Sequence, residues 1–161
     1  MKNRNINFMT PAAMIAAIYV VLTYVFAPFS FGEVQVRISE ALTILPVFTP
    51  AAIPGLFIGC LVGNILGGAI LPDIIFGSIA TLIGAFFTWK LRKKSPYFAP
   101  IPPIVSNIII VPFVLRYGYV VALPIPFMMF TVGIVEIISC AVLGMVLYFA
   151  LKKYAKTLFA Q

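Results

Sequence analysis

Four carboxylates make up the acidic inventory of this 161-residue chain: Glu33, Glu40, Asp73 and Glu136. With Arg37 and the amides of Asn64 and Asn107, they form the set of side chains able to recognise a polar solute. Carboxylates accept hydrogen bonds, a guanidinium donates them, and amides do both. Such a set suits a planar heterocycle with several N–H groups, or a primary ammonium. The chain has no histidine, and its two cysteines, Cys60 and Cys140, lie in separate apolar runs where they read as packing residues. No metal site or disulfide is expected from that inventory. There is no HExxH, no nucleophile elbow and no G-x-x-x-x-G-K-[ST] phosphate loop, so neither catalysis, a cofactor nor self-powered ATP hydrolysis is expected.

The elements that must position these groups are apolar. The chain is 63% hydrophobic and 9% charged, against roughly a quarter charged in a soluble domain. A chain this short cannot hide so much apolar surface behind a water-facing shell. The expected fold is therefore an all-α integral membrane bundle, a single transmembrane domain over 1–161, with lipid as its main solvent. A spanning helix takes about 20 apolar residues, and six segments can be drawn: Pro11 to Pro28, Ile38 to Phe48, Ala51 to Gly68, Asp73 to Leu91, Pro100 to Arg116 and Pro124 to Leu151. The first is too long for a secretory signal core, with Pro28 where a cleavage site would lie, and reads as a retained helix. The second is short and ends among Pro46, Pro50 and Pro54, so it reads either as a short span or as a re-entrant hairpin with the third.

Charge sets the orientation. With both termini in the cytoplasm, Lys2, Arg4, Lys90, Arg92, Lys93, Lys94, Lys152, Lys153 and Lys156 lie inside, leaving only Arg37 and Arg116 of the 11 basic residues outside. That asymmetry follows the positive-inside rule, so the net charge of +7 reports orientation in a membrane and not nucleic-acid binding. All four acidic residues then fall toward the outer side. Glu33 is in the first outer loop, Glu40 begins the second helix and Asp73 opens the fourth. Glu136 lies about 12 residues into the sixth, roughly 18 Å deep at 1.5 Å per residue. An ionisable group at that depth normally faces a cavity or a partner, which makes Glu136 the leading candidate for solute contact, with Asn107 and Asn64 beside it.

Other positions carry two readings each. Arg37 and Glu40, at i and i+3, form either a structural pair or a lid over ligand. Asp73 is either a helix cap or a ligand contact, and Glu33 either a solvated loop charge or a ligand contact. Arg116 is expected to anchor an outer helix end. Small residues repeat every four along the third helix, at Gly55, Gly59, Gly63 and Gly67, where they permit close helix approach in lipid. The first helix carries two overlapping pairs, Ala12/Ala16 and Ala13/Ala17, able to serve either bundle packing or partner docking.

The run "EVQVRISEALTILPVFTPAAIPGLFIGCLVGNILGG" at 33–68 and "DIIFGSIATLIGAFF" at 73–87 resemble the QueT family, queuosine-precursor transporters that act as substrate-binding S components of energy-coupling factor (ECF) transporters. The resemblance extends over nearly the whole chain and is strongest from Glu33 to Phe87. It implies a six-helix S-component fold and a partner module of one transmembrane T subunit and two ATPase subunits. It further implies that a pair of small residues on the first helix docks the T subunit. The implied substrate is a 7-deazaguanine such as 7-aminomethyl-7-deazaguanine (preQ1), held near the outer side by the first loop and the later helices.

Overall fold

The computed structural model describes residues 2–30 and 37–158. Within them the chain forms helices and turns only: α1 (Lys2–Val25), α2 (Ile38–Val47), α3 (Ala52–Leu66), α4 (Leu71–Leu91), α5 (Ile101–Phe113) and α6 (Ile125–Glu136). Helix α5 runs on into a wider π-helical turn at Val114–Gly118, and α6 does so at Ile137–Leu143 before resuming as α-helix over Gly144–Lys152. Pro112 explains the first widening, since its ring displaces the carbonyl one turn back and removes a donor from the ladder.

Four of these helices are long and apolar enough to cross a membrane: Ile6–Val25, Leu71–Leu91, Pro96–Gly118 and Ile125–Lys152. Their outward faces carry Met14, Val21, Phe76, Phe86, Ile109, Phe130 and Phe149, all exposed. The polar side chains Glu40, Asn64, Asp73, Thr81, Asn107 and Glu136 are buried instead. This inverted polarity is the arrangement that lipid selects.

The second expected span takes a different form. Helix α2 is a ten-residue 3-10 helix, about 20 Å long at 2 Å per residue, and α3 has 15 residues, about 22 Å. Each is shorter than the ~30 Å hydrocarbon core of a bilayer. Eight of the ten α2 residues, Ser39 through Pro46, are buried. A helix covered on all sides is a core element, and α2 is the central strut of the bundle, touching α1, α3, α4 and the C-terminal continuation of α6 over residues 137–152.

Small residues let the other helices close around it. A Cβ on Gly55 would lie 2.7 Å from the Ala12 carbonyl oxygen, and one on Gly59 would lie 2.7 Å from Cβ of Tyr19 and 3.1 Å from Cα of Ala16. Gly63 faces Thr23 in the same seam, so the glycine stripe is spent on the α1–α3 interface. Gly67 takes the C-cap position of α3. Farther round the bundle, Gly84 meets Pro103 of α5, with a built Cβ only 2.7 Å from its Cα.

Candidate functional site

The buried polar groups form a column that follows one face of α4. Asp73, Gly77 and Thr81 succeed one another at four-residue spacing, so the column descends about 12 Å from Asp73 to Thr81. Asp73 is the upper end. Its Oδ2 accepts from the Arg37 guanidinium at 3.1 Å and from the Tyr119 hydroxyl at 3.0 Å. Asn64 of α3 donates to the Asp73 backbone carbonyl at 3.3 Å. Gly77 keeps this layer open, because a Cβ there would sit 2.9 Å from Asp73 Oδ1 and 3.3 Å from the Asn64 amide nitrogen. Tyr119 lies beyond the end of the fifth span, and burial together with the Asp73 carboxylate pushes its phenol up to about 12. It therefore remains a donor at any pH below about 10.

At two positions in this layer, one of the two readings is excluded. Arg37 pairs with Asp73 and not with Glu40, and Arg37–Asp73 is the one ion pair among the described residues. On a 3-10 helix, residues three apart eclipse, but Arg37 precedes α2 in extended backbone and reaches α4 instead. Nor is Asp73 a cap. The N-cap of α4 is Ile70, and Asp73 turns into the bundle.

The lower layer holds two carboxylates. Glu40 Oε1 accepts from the Tyr19 hydroxyl at 2.5 Å and lies 3.5 Å from the Thr81 hydroxyl. Glu136 Oε2 accepts from the Cys140 thiol at 3.1 Å, and the buried Asn107 side chain lies near this carboxyl. Thr43 bonds the Glu40 backbone carbonyl at 2.6 Å and approaches the Cys140 sulfur at 3.5 Å. Carboxylate oxygens of Glu40 and Glu136 and the Cys140 sulfur all lie within 4.8 Å of one another, and all three residues are buried. Among the described residues, Glu40 Oε2, Asp73 Oδ1 and Ser139 Oγ are buried without a hydrogen-bond partner. An orphaned buried polar atom costs about 1–3 kcal/mol, so the free oxygens of Glu40 and Asp73 call for a partner.

Arg37, Glu40, Asn64, Asp73, Asn107 and Glu136 are thus gathered in one buried polar column. Glu33 lies outside the described residues. Sequence reasoning missed Tyr19 and Tyr119, and took Thr81 and Cys140 only as members of the small, polar faces that also carry Asp73 and Glu136. The Cys140 contact was within reach, because Glu136 and Cys140 are four apart on one helix and so share a face. Tyr19 and Tyr119 touch partners that are distant in sequence and left no local signal. Arg116 donates to the Val121 carbonyl at 3.0 Å, tying down the turn after the fifth span. The two alanine pairs are separated as well. Ala12 and Ala16 face α3, whereas Ala13 and Ala17 are exposed.

The arrangement gathers hydrogen-bond acceptors of the kind that recognise a donor-rich solute. Carboxylates from α2 and α6 and amides from α3 and α5 converge from different helices, while the hydroxyls of Tyr19 and Thr81 brace Glu40.

Comparison with known proteins points the same way. The sequence pattern described as QueT transporter matches residues 9–153. A protein named Queuosine precursor transporter QueT, from Lactococcus lactis subsp. cremoris (strain MG1363), is 34% identical over 90 residues, 53% of this chain and 53% of that protein. The aligned region thus spans about half the length of this relative. No solved structure matches the chain.

Proposed function

Because the chain belongs to the QueT transporter family, we propose that it is the substrate-binding S component of an ECF-type importer that captures a queuosine precursor from outside the cell. The solute class is a 7-deazaguanine such as preQ1. The observation that carries this reading is the buried polar column at the centre of an apolar bundle. A guanine-like edge presents adjacent N–H donors that one carboxylate receives in bidentate fashion, and the column holds Glu40, Asp73 and Glu136 with Asn64 and Asn107 in reach.

In this reading the bundle counts six helices, with α2 and α3 as the short pair, and sits in the cell membrane with both termini in the cytoplasm. Arg37, Asp73 and Tyr119 tie the start of α2, the top of α4 and the turn after α5 together at the outer face. Solute enters where these three meet, and Glu33, outside the described residues, is kept as a further candidate contact. Asn64, Asn107, Glu40 and Glu136 hold the solute below.

The chain binds and does not hydrolyse. Energy comes from a transmembrane T subunit with two ATPase subunits, docked on α1. Ala13 and Ala17 form the docking pair, because Ala12 and Ala16 are already packed on α3. The small side chains let a partner helix approach the α1 backbone closely.

Ligand-dependent thermal stabilisation of the purified protein tests the reading. A solute that binds only the folded state raises the midpoint by mass action, by about 2.7 kcal/mol of stability at one hundred times its Kd. Stabilisation by a 7-deazaguanine and by no unrelated vitamin supports it. Stabilisation by an unrelated vitamin alone would replace the substrate class.

A further inference from the structure

The lower layer brings two carboxyl groups together without a basic partner among the described residues. Arg37 is engaged with Asp73 at 3.1 Å, and among the described residues neither Glu40 nor Glu136 has a basic partner. Their carboxylate oxygens nevertheless lie within 4.8 Å of each other in a buried site. Two carboxylates this close in a low-dielectric interior require a cation or a proton between them. A second feature points at a ligand independently: Glu40 Oε2 is buried with no hydrogen-bond partner, although Oε1 of the same group is held by Tyr19.

The choice of cation follows from Cys140. Its thiol donates to Glu136 Oε2 at 3.1 Å, so the sulfur is used as a protonated donor. A transition metal would need a deprotonated thiolate and usually four ligands. A primary ammonium needs neither. It carries three N–H donors and no acceptor, and the cluster offers it one free oxygen on Glu40 beside the Glu136 carboxylate.

We infer that Glu40 and Glu136 together form the counter-ion for a primary ammonium on the solute, and that this charge pairing sets specificity among ligands sharing the same ring. The inference rests on the proposed role as a deazaguanine receptor and assigns the discriminating contact within that site. The ring alone does not decide binding. A ligand bearing an aminomethyl group is preferred over one with the same ring and an uncharged substituent, because the uncharged group leaves the Glu40 oxygen unpaired and the two carboxylates facing each other.

The test compares 7-aminomethyl-7-deazaguanine with 7-cyano-7-deazaguanine, which replaces the amine by a nitrile, using titration calorimetry on the purified full chain. Wild-type protein is expected to bind the amine at least about tenfold more tightly, the weight of one charge-assisted hydrogen bond. Glu40→Gln and Glu136→Gln should each collapse that ratio, whereas Arg116→Gln, at the exposed turn, should leave the ratio intact. If either glutamine variant does not fold, the wild-type ratio and the other variant still decide. Equal affinity for amine and nitrile overturns the charge pairing and leaves the deazaguanine receptor standing. Binding of neither compound overturns both. Stabilisation by zinc alone, with no preference for the amine, makes the cluster a metal site and also overturns the inference.

Discussion

The Tyr19 hydroxyl donates to Glu40 Oε1 at 2.5 Å, joining the first helix to the carboxylate at the centre of the bundle. Helix α1 thus presents Ala13 and Ala17 outward and Tyr19 inward, so the surface proposed for the partner and the proposed solute site are connected through one rigid element. Tyr19 and Glu40 are both about 1% exposed. A Tyr19→Phe variant keeps the ring and removes the donor, leaving another Glu40 oxygen without its main support. Thermal or denaturant unfolding in detergent should show a loss of about 1.5–3 kcal/mol, the range for a hydrogen bond to a charged group. An unchanged midpoint would mean that the bond contributes nothing.

The Arg37–Asp73 pair calls for a double-mutant cycle. Removing one partner of a buried pair strands the other, so Arg37→Met alone should cost about 3–5 kcal/mol. Adding Asp73→Leu removes the stranded charge and should recover much of that loss. Additive losses in the double variant would show that the two side chains are not coupled.

The glycine seam between α1 and α3 gives a steric prediction. A side chain at position 59 meets Tyr19 and Ala16 at distances that require α1 to move. Gly59→Val should therefore destabilise the bundle by about 1–3 kcal/mol through overpacking, and it should also weaken solute binding by displacing Tyr19. By contrast Gly68, with φ of 74° and nothing within 4 Å of a built Cβ, should lose only about 1 kcal/mol on mutation to Ala, from backbone strain.

Docking on α1 separates the alanines. Ala13→Leu with Ala17→Leu adds bulk to an exposed face and should leave the melting temperature within about 0.5 kcal/mol of wild type. Co-purification with the T and ATPase subunits should nevertheless be lost. The equivalent change at Ala12 and Ala16 should destabilise the isolated protein. If the Ala13/Ala17 variant still co-purifies fully, docking lies elsewhere.

How much of this was legible in the sequence depends on the range of each interaction. Glu136 stood out because a carboxylate inside a long apolar run has few structural uses, and the small-residue periodicity of α3 gave its packing face directly. Arg37 shows the opposite case. Its nearest acidic neighbour in sequence was Glu40, yet the partner it takes is 36 residues away on another helix, a choice set by how α2 and α4 pack. The 3-10 form of α2 was likewise hidden, because its composition is apolar throughout and its burial on all sides comes from the surrounding helices. Tyr19 was one aromatic among many on an apolar helix, and only the position of α2 gives it a carboxylate to meet.

The central claim is that the buried carboxylates of α2 and α6 bind the solute. The most direct measurement is the affinity of Glu136→Gln for 7-aminomethyl-7-deazaguanine, with unfolding of the ligand-free protein as the control for folding. The substitution conserves shape and removes the charge, so affinity should fall by at least about tenfold while the variant remains folded. A folded Glu136→Gln protein that binds the solute as tightly as wild type would contradict the account.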